Sequence, residues 1–270
     1  MQTKQIIYVV GDNFANFAHQ HARAITFSEF KLRAASAREE NLFLPGQGLQ
    51  SEQLSAVYIA NTRGGMFLVS EGEIATRRET HKHEPKNTMV SLPRRVAPKK
   101  FELDLWIDGR NEVLSDHQTG QHVQGIALIE GARQSLLAVT EHFDLSPGDS
   151  SDFIVVWSGI ADAEFPHFTF PLPIKINYEV LSKEVDRRGQ MKFEVFIDFE
   201  QAGRTTACLL TSFAAYRKGF ILGKEHEQAC DTLDAMCQAS SWSEAEVVEG
   251  QQALPFDPPM LNGMLTAATE

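Results

Sequence analysis

The sequence predicts an α+β fold in which a curved antiparallel sheet wraps round one central helix. Three observations predict it. Ile129, Ala132, Leu136, Val139 and Phe143 recur at helical spacing, and Ile126, Leu128 and Leu137 widen that stripe until most of the circumference is apolar. A helix that is hydrophobic nearly all round is a central one. Residues 101–108 alternate, with Phe101, Leu103, Leu105 and Ile107 on one face and Glu102, Asp104 and Asp108 on the other. That is the pattern of a half-buried strand. After the helix come three or more long alternating segments separated by turn residues, which reads as an antiparallel sheet.

The totals bound the function. The chain has 270 residues, room for one large or two small domains with a proper core. The net charge of −11 argues against generalised nucleic-acid or anionic-membrane binding, since both need a basic surface. Cys208, Cys230 and Cys237 are too few and too irregular for a disulfide framework or a zinc site. No apolar run is long enough to span a bilayer, and the first residues lack a secretory cleavage pattern. The expectation is a reduced, cytoplasmic protein.

In chain order, residues 6–10 read as a short buried strand closed by Gly11-Asp12. No phosphate-loop pattern follows. Residues 13–24 and 27–40 have helical character. Val57 to Ala60 and a second apolar run at 66–70 flank Thr62-Arg63-Gly64-Gly65, a hairpin signal. Residues 71–83 are charged and read as a linker. His81-Lys82-His83-Glu84 offers no fixed ligand geometry, so no metal site is assigned. Residues 87–96 suit a strand, and Arg94, Arg95, Lys99 and Lys100 form the densest basic cluster. Beyond the central helix, strands are expected at 153–159, 174–181, 191–199 and 204–216. The aromatic, proline-rich stretch 165–173 suits an edge or crossover. A short helix near 225–236 and an extended tail close the chain. The expected divisions are 1–80, 81–219 and 220–270.

The chemistry concentrates at the start of the central helix. A polar loop with His117, Gly120, His122 and Gly125 enters it, and Glu130, Arg133 and Gln134 stand at i, i+3 and i+4 on one of its faces. On an exposed helix an i, i+3 ion pair satisfies itself for about 0.2–0.5 kcal/mol. On a buried helix each ion costs several kcal/mol before its partner compensates, so charge kept there marks a candidate site.

The order Asp116-His117, Gly120, His122-Val123-x-Gly125, then Leu128-Ile129-Glu130-x-Ala132-Arg133-Gln134 resembles the signature of the A-factor (γ-butyrolactone) biosynthesis proteins, the AfsA-type hot-dog family. It is more distantly similar to hot-dog β-hydroxyacyl-carrier-protein dehydratases. The dehydratase histidine would fall on Asp116, with His117 one place along, which favours the A-factor reading. The resemblance is specific over 116–134 and diffuse from 80 to 218.

The resemblance implies a hot-dog fold and transfer of a β-ketoacyl group from an acyl carrier protein to a small hydroxylated phosphate such as dihydroxyacetone phosphate. Glu130 then suits a general base, provided burial raises its pKa. Arg133 suits a phosphate or carbonyl oxygen. Gln134 offers an amide, and His117 and His122 are alternative acid–base groups. Asp116, Gly125 and Gln134 are expected to line the substrate site, Gly125 by way of the helix N-terminus. Two rivals stay open. One is dehydration or thioester hydrolysis on carrier-protein or coenzyme A thioesters. The other is a non-catalytic acyl-binding protein in which the polar face only fixes packing. No cofactor is expected. Residues 1–80 are expected to be a degenerate second hot-dog, or else the chain to pair as a homodimer.

Overall fold

The computed structural model describes residues 5–36, 41–63, 72–113, 119–145 and 152–239. Asp116 and His117 therefore lie outside the described residues, as do the second half of the expected hairpin and the tail beyond 239. Residues up to Ile221 form one compact unit and those from Leu222 a second.

The centre of the first unit is helix α5, Gly125–Phe143, by the numbering of elements along the chain. A six-stranded antiparallel sheet curves about it. Its strands are β4 (Arg94–Ala97), β5 (Lys100–Leu105), β6 (Phe153–Glu164), β7 (Ile174–Val185), β8 (Met191–Gln201) and β9 (Arg204–Arg217). Their order across the sheet is β4-β5-β7-β8-β9-β6. Alternation dictates which side faces the helix. In β8, Met191, Phe193, Val195, Ile197 and Phe199 are buried while Lys192, Glu194 and Phe196 point outward. Phe193 faces Phe213 of β9 across the ladder, rings stacked at 4.6 Å. The expected fold class holds: an antiparallel sheet wrapped round a central helix.

Helix and sheet meet at very short range. Gly131 sits where a Cβ would lie 2.6 Å from Leu105 Cδ1, so any side chain there would push α5 off β5. Ala127, Ala132 and Ala138 keep the rest of that approach close, and Leu128 and Leu136 fill it.

The N-terminal layer differs from expectation. β1 (Gln5–Val10), β2 (Ala24–Thr26) and β3 (Asn41–Pro45) form a parallel sheet in the order β2-β1-β3. Helices α1 (Ala15–Gln20), α2 (Phe27–Ser36) and α3 (Ser51–Arg63) accompany them. Parallel neighbours need crossover connections, and α1 and α2 lie on those crossovers. This is not a second hot-dog, which would need an antiparallel sheet around one helix. The expected strand at Val57 to Ala60 is part of α3. Val57 is fully buried with Leu54 and Ala60 packed beside it, a stripe at helical spacing. Asn61, on the next turn, hydrogen-bonds both the N–H and the C=O of Phe43 in β3.

Gln47 ties this layer to the antiparallel sheet. Its amide donates to the Leu105 carbonyl at 2.9 Å and accepts from Ile107 N–H at 2.9 Å. The stretch expected as a linker is docked too. Thr76 and Glu79 form a reciprocal cap on the short helix α4 (Arg77–Thr80), which packs against α5. In the last helix, α6 (Lys218–Ala239), residues 222–238 are almost wholly exposed; the helix exceeds the expected span at both ends. No helix among the described residues is long and apolar enough to cross a membrane.

Candidate functional site

The loop before α5 is held from outside. Gly120 takes φ +69°, a conformation that favours glycine, and its carbonyl accepts from Phe17 N–H at 2.9 Å. Val123 N–H donates to Thr169 at 2.7 Å. These contacts set His122 at the mouth of α5, its ring 4.8 Å from that of Phe168. A cavity of about 520 Å³ opens there, lined by His122, Gly125, Leu128, Phe165, Phe168 and Thr169. Gly125 is small because Phe165 covers it: a Cβ would stand 3.0 Å from the ring. The first turn of a helix has N–H groups with no intrahelical partner, so an oxyanion at this end meets donors and the positive end of the dipole. Thr169 is buried, and its Oγ1 has no hydrogen-bond partner among the described residues.

Further along α5, Glu130 is the centre of a cluster. Arg133 grips its carboxylate with Nε at 2.8 Å and Nη2 at 2.9 Å. Gln134 donates to it at 3.0 Å, and Lys82 Nζ lies at 2.7 Å. Gln134 is fully buried, and its amide also accepts from Met89 N–H and donates to the Asn87 carbonyl, both at 2.8 Å. Both its amide protons are thus committed within the protein, so it braces Glu130 and the 87–89 segment. Burial pushes the Glu130 carboxyl up, but hydrogen bonds from Arg133, Lys82 and Gln134 and the Arg133 charge outweigh it and hold the group at about 2. The expectation that burial would raise this carboxyl towards working pH is not met. At neutral pH Glu130 is an ionised anchor for two cations that remain partly exposed, Arg133 at 33% and Lys82 at 25%.

Residues 70–215 match the A-factor biosynthesis hotdog domain, the AfsA family. The chain belongs to that family. No curated protein matches this AfsA-family chain. Among solved structures it is similar to a conserved protein of Pseudomonas aeruginosa (17% identity, TM-score 0.33, 46% of this chain and 86% of the other). A thioesterase from Haemophilus influenzae matches at 12% identity and TM-score 0.33, covering 47% and 78% of the two chains. The phenylacetic acid degradation protein PaaI of Thermus thermophilus matches at 12% and 0.30, covering 45% and 90%.

The AfsA motif residues do not all converge within one chain. His122 and Gly125 line the cavity at the helix mouth; Glu130, Arg133 and Gln134 do not. Glu130 is five positions along from Gly125, which turns its side chain about 140° round the axis. Sequence reading missed Lys82, the third donor to Glu130, because it sits in a stretch that looks like a linker. It also missed His81, whose Nε2 lies 2.8 Å from Glu141 Oε1 on α5. No cluster among the described residues has the donors for a metal ion. The basic cluster is largely answered locally. Arg94 faces Glu102 and Asp104, Lys100 faces Glu179, and Arg95 lies over the rings of Phe101 and Phe143.

Proposed function

We propose that this chain transfers an acyl group of the β-ketoacyl class from a carrier-protein thioester to a small hydroxylated phosphate. The observation that carries the reading is the Glu130 cluster. One carboxylate holds two cations, so the cluster keeps a surplus positive charge on two side chains that solvent still reaches. A phosphorylated acceptor has a use for such a grip; the phosphate of a coenzyme A or pantetheine arm could use it too, and the match to the A-factor biosynthesis family favours the acceptor.

The acyl chain occupies the cavity at the mouth of α5, with its carbonyl oxygen against the helix N-terminus. The acceptor hydroxyl oxygen attacks the carbonyl carbon, and the carbon–sulfur bond breaks. His122 takes the hydroxyl proton and returns it to the departing sulfur, leaving an ester and a free thiol. With its carboxyl at about 2, Glu130 is too weak a base for that step and serves to aim Arg133. Arg133 and Lys82 hold the acceptor phosphate.

Because the two groups of residues face different sides of α5, the reading requires a second copy, whose helix mouth meets the Glu130 face of the first. Strand β6 is one of the two edges of the sheet, β4 being the other, and Ile160 on it, with Phe165, Phe168 and Phe170 just beyond, is exposed. Exposed apolar residues at a strand edge are what pairing with a second copy would cover.

The test is mass spectrometry of β-ketoacyl-carrier protein incubated with the protein, with and without dihydroxyacetone phosphate. A new ester that forms only with the acceptor supports the reading. Free acid or enoyl product that forms equally without it replaces transfer by hydrolysis or dehydration.

A further inference from the structure

A second cavity, of about 370 Å³, lies away from the helix mouth. Its apolar wall includes Leu54 of α3, Ala75 and Trp106; Arg77 and Lys82 bring positive charge to it, and His83 also lines it. Asp108 also lines it, but that carboxylate is held by Arg110 at 3.2 and 3.1 Å. The size falls within the range of small-molecule sites, about 300–1,000 Å³. Trp106 lines the wall with its ring, which makes its indole a reporter of what occupies the space.

We propose that this cavity binds a small amphiphilic oxyanion, a carboxylate or phosphate ester on a short apolar body, and that Lys82 couples its occupancy to Glu130. The apolar wall takes the body. Arg77 and Lys82 take the oxygens. Lys82 lines the cavity and also makes the 2.7 Å pair with Glu130. An oxyanion in the cavity therefore competes with Glu130 for the same ammonium. Coupling between two sites is reciprocal, so weakening one claim on Lys82 strengthens the other. Lys82 is also the lysine that the proposed transfer assigns to the acceptor phosphate, so on that reading an oxyanion here competes with the acceptor as well; binding to the cavity itself does not depend on which reaction the family motif serves.

Calorimetric titration of the full chain with octanoate, octyl phosphate and octanol tests it. Both anions are expected to saturate at one per chain below about 1 mM, and octanol to bind at least about tenfold more weakly. The stronger of the two anions identifies the head group. Ala75→Trp fills the space and abolishes binding. Lys82→Met and Arg77→Met each weaken the anions and leave octanol unchanged. Glu130→Gln releases Lys82 and tightens the anions by about three- to tenfold. A measurement on the unmodified protein guards against misfolded variants: the Trp106 indole N–H resonance, assigned with Trp106→Phe, shifts on adding the anion. No saturable binding, equal affinity for octanol, or full affinity in Ala75→Trp overturns the site. Unchanged affinity in Glu130→Gln overturns the coupling.

Discussion

Lys82 Nζ lies 2.7 Å from Glu130 Oε1, the same oxygen that Arg133 Nη2 and Gln134 Nε2 reach. Three donors on one oxygen explain a carboxyl held at about 2 against an ordinary 4.5. The sign follows from the depression. The folded state binds this proton less readily than the unfolded state, so the stabilisation is complete above about pH 4.5 and is lost as pH falls towards about 2. The depression corresponds to on the order of 2–3 kcal/mol, after allowing for partners a quarter to a third exposed. Denaturant melts between about pH 6 and pH 3 should show this loss in the unmodified protein and a smaller one in Glu130→Gln. Equal losses in the two would remove Glu130 from the acid response.

His81 should be a structural clip. It adopts φ 55° at the end of α4 and reaches Glu141, whose side chain is 1% exposed. Glu141 Oε2 and Thr140 Oγ1 have no hydrogen-bond partner among the described residues, so the pair has little reserve. His81→Ala leaves a buried carboxylate with no donor and is expected to cost about 1–3 kcal/mol. His81→Ala combined with Glu141→Gln should cost less than the two single changes added together. Strict additivity in that double-mutant cycle argues that the contact contributes nothing.

What the sequence shows and what it hides follow from where the partners lie. Helix α5 was legible because it is apolar almost all round, and β5, β7, β8 and β9 because their alternation is long. β2 spans three residues, too few for any period to register. Val57 to Ala60 is a short apolar run, which periodicity alone does not assign to helix or strand, and the glycines after it favoured a hairpin. The charged residues at 76–82 looked solvated because their partners are remote in sequence: Lys82 meets Glu130 and His81 meets Glu141. The ion pair of Glu130 with Arg133 was visible from spacing. The depressed carboxyl was not, since it depends on Lys82.

Pairing of two chains is the next expectation. Light scattering should give a dimer, and Ile160→Lys, at the free edge of β6, should shift it towards monomer by placing like charges across the joint. Ile160 is already 44% exposed within one chain, so the substitution itself should cost less than about 0.5 kcal/mol of monomer stability. If the two halves of the site come from different copies, turnover falls with the dimer fraction. A fully active monomer would refute that arrangement.

The roles along α5 separate in one set of variants. His122→Ala removes the proposed proton carrier from a half-buried position at the loop, so it should keep the fold and lower turnover by about a hundredfold or more. Arg133→Lys keeps the charge but loses the two-pronged grip on Glu130, and with it the aim of the cluster; its effect should fall chiefly on KM for the phosphorylated acceptor. Glu130→Gln removes the anchor while keeping its size. With a carboxyl at about 2, Glu130 contributes by position and not by proton transfer, so this variant should also act mainly on KM. Leu136→Ala is the control. It opens a void beside the sheet in a fully buried position and is expected to cost about 2–5 kcal/mol. It should keep its specific activity per folded molecule, because it touches neither the helix mouth nor the cluster. A hundredfold fall in kcat for Glu130→Gln, with KM unchanged and the melting temperature preserved, would return the proton-carrying role to Glu130 and take it from His122. Activity that simply tracks the melting temperature across all four variants would leave the polar face a packing device, and the chain a binder of acyl groups without chemistry of its own.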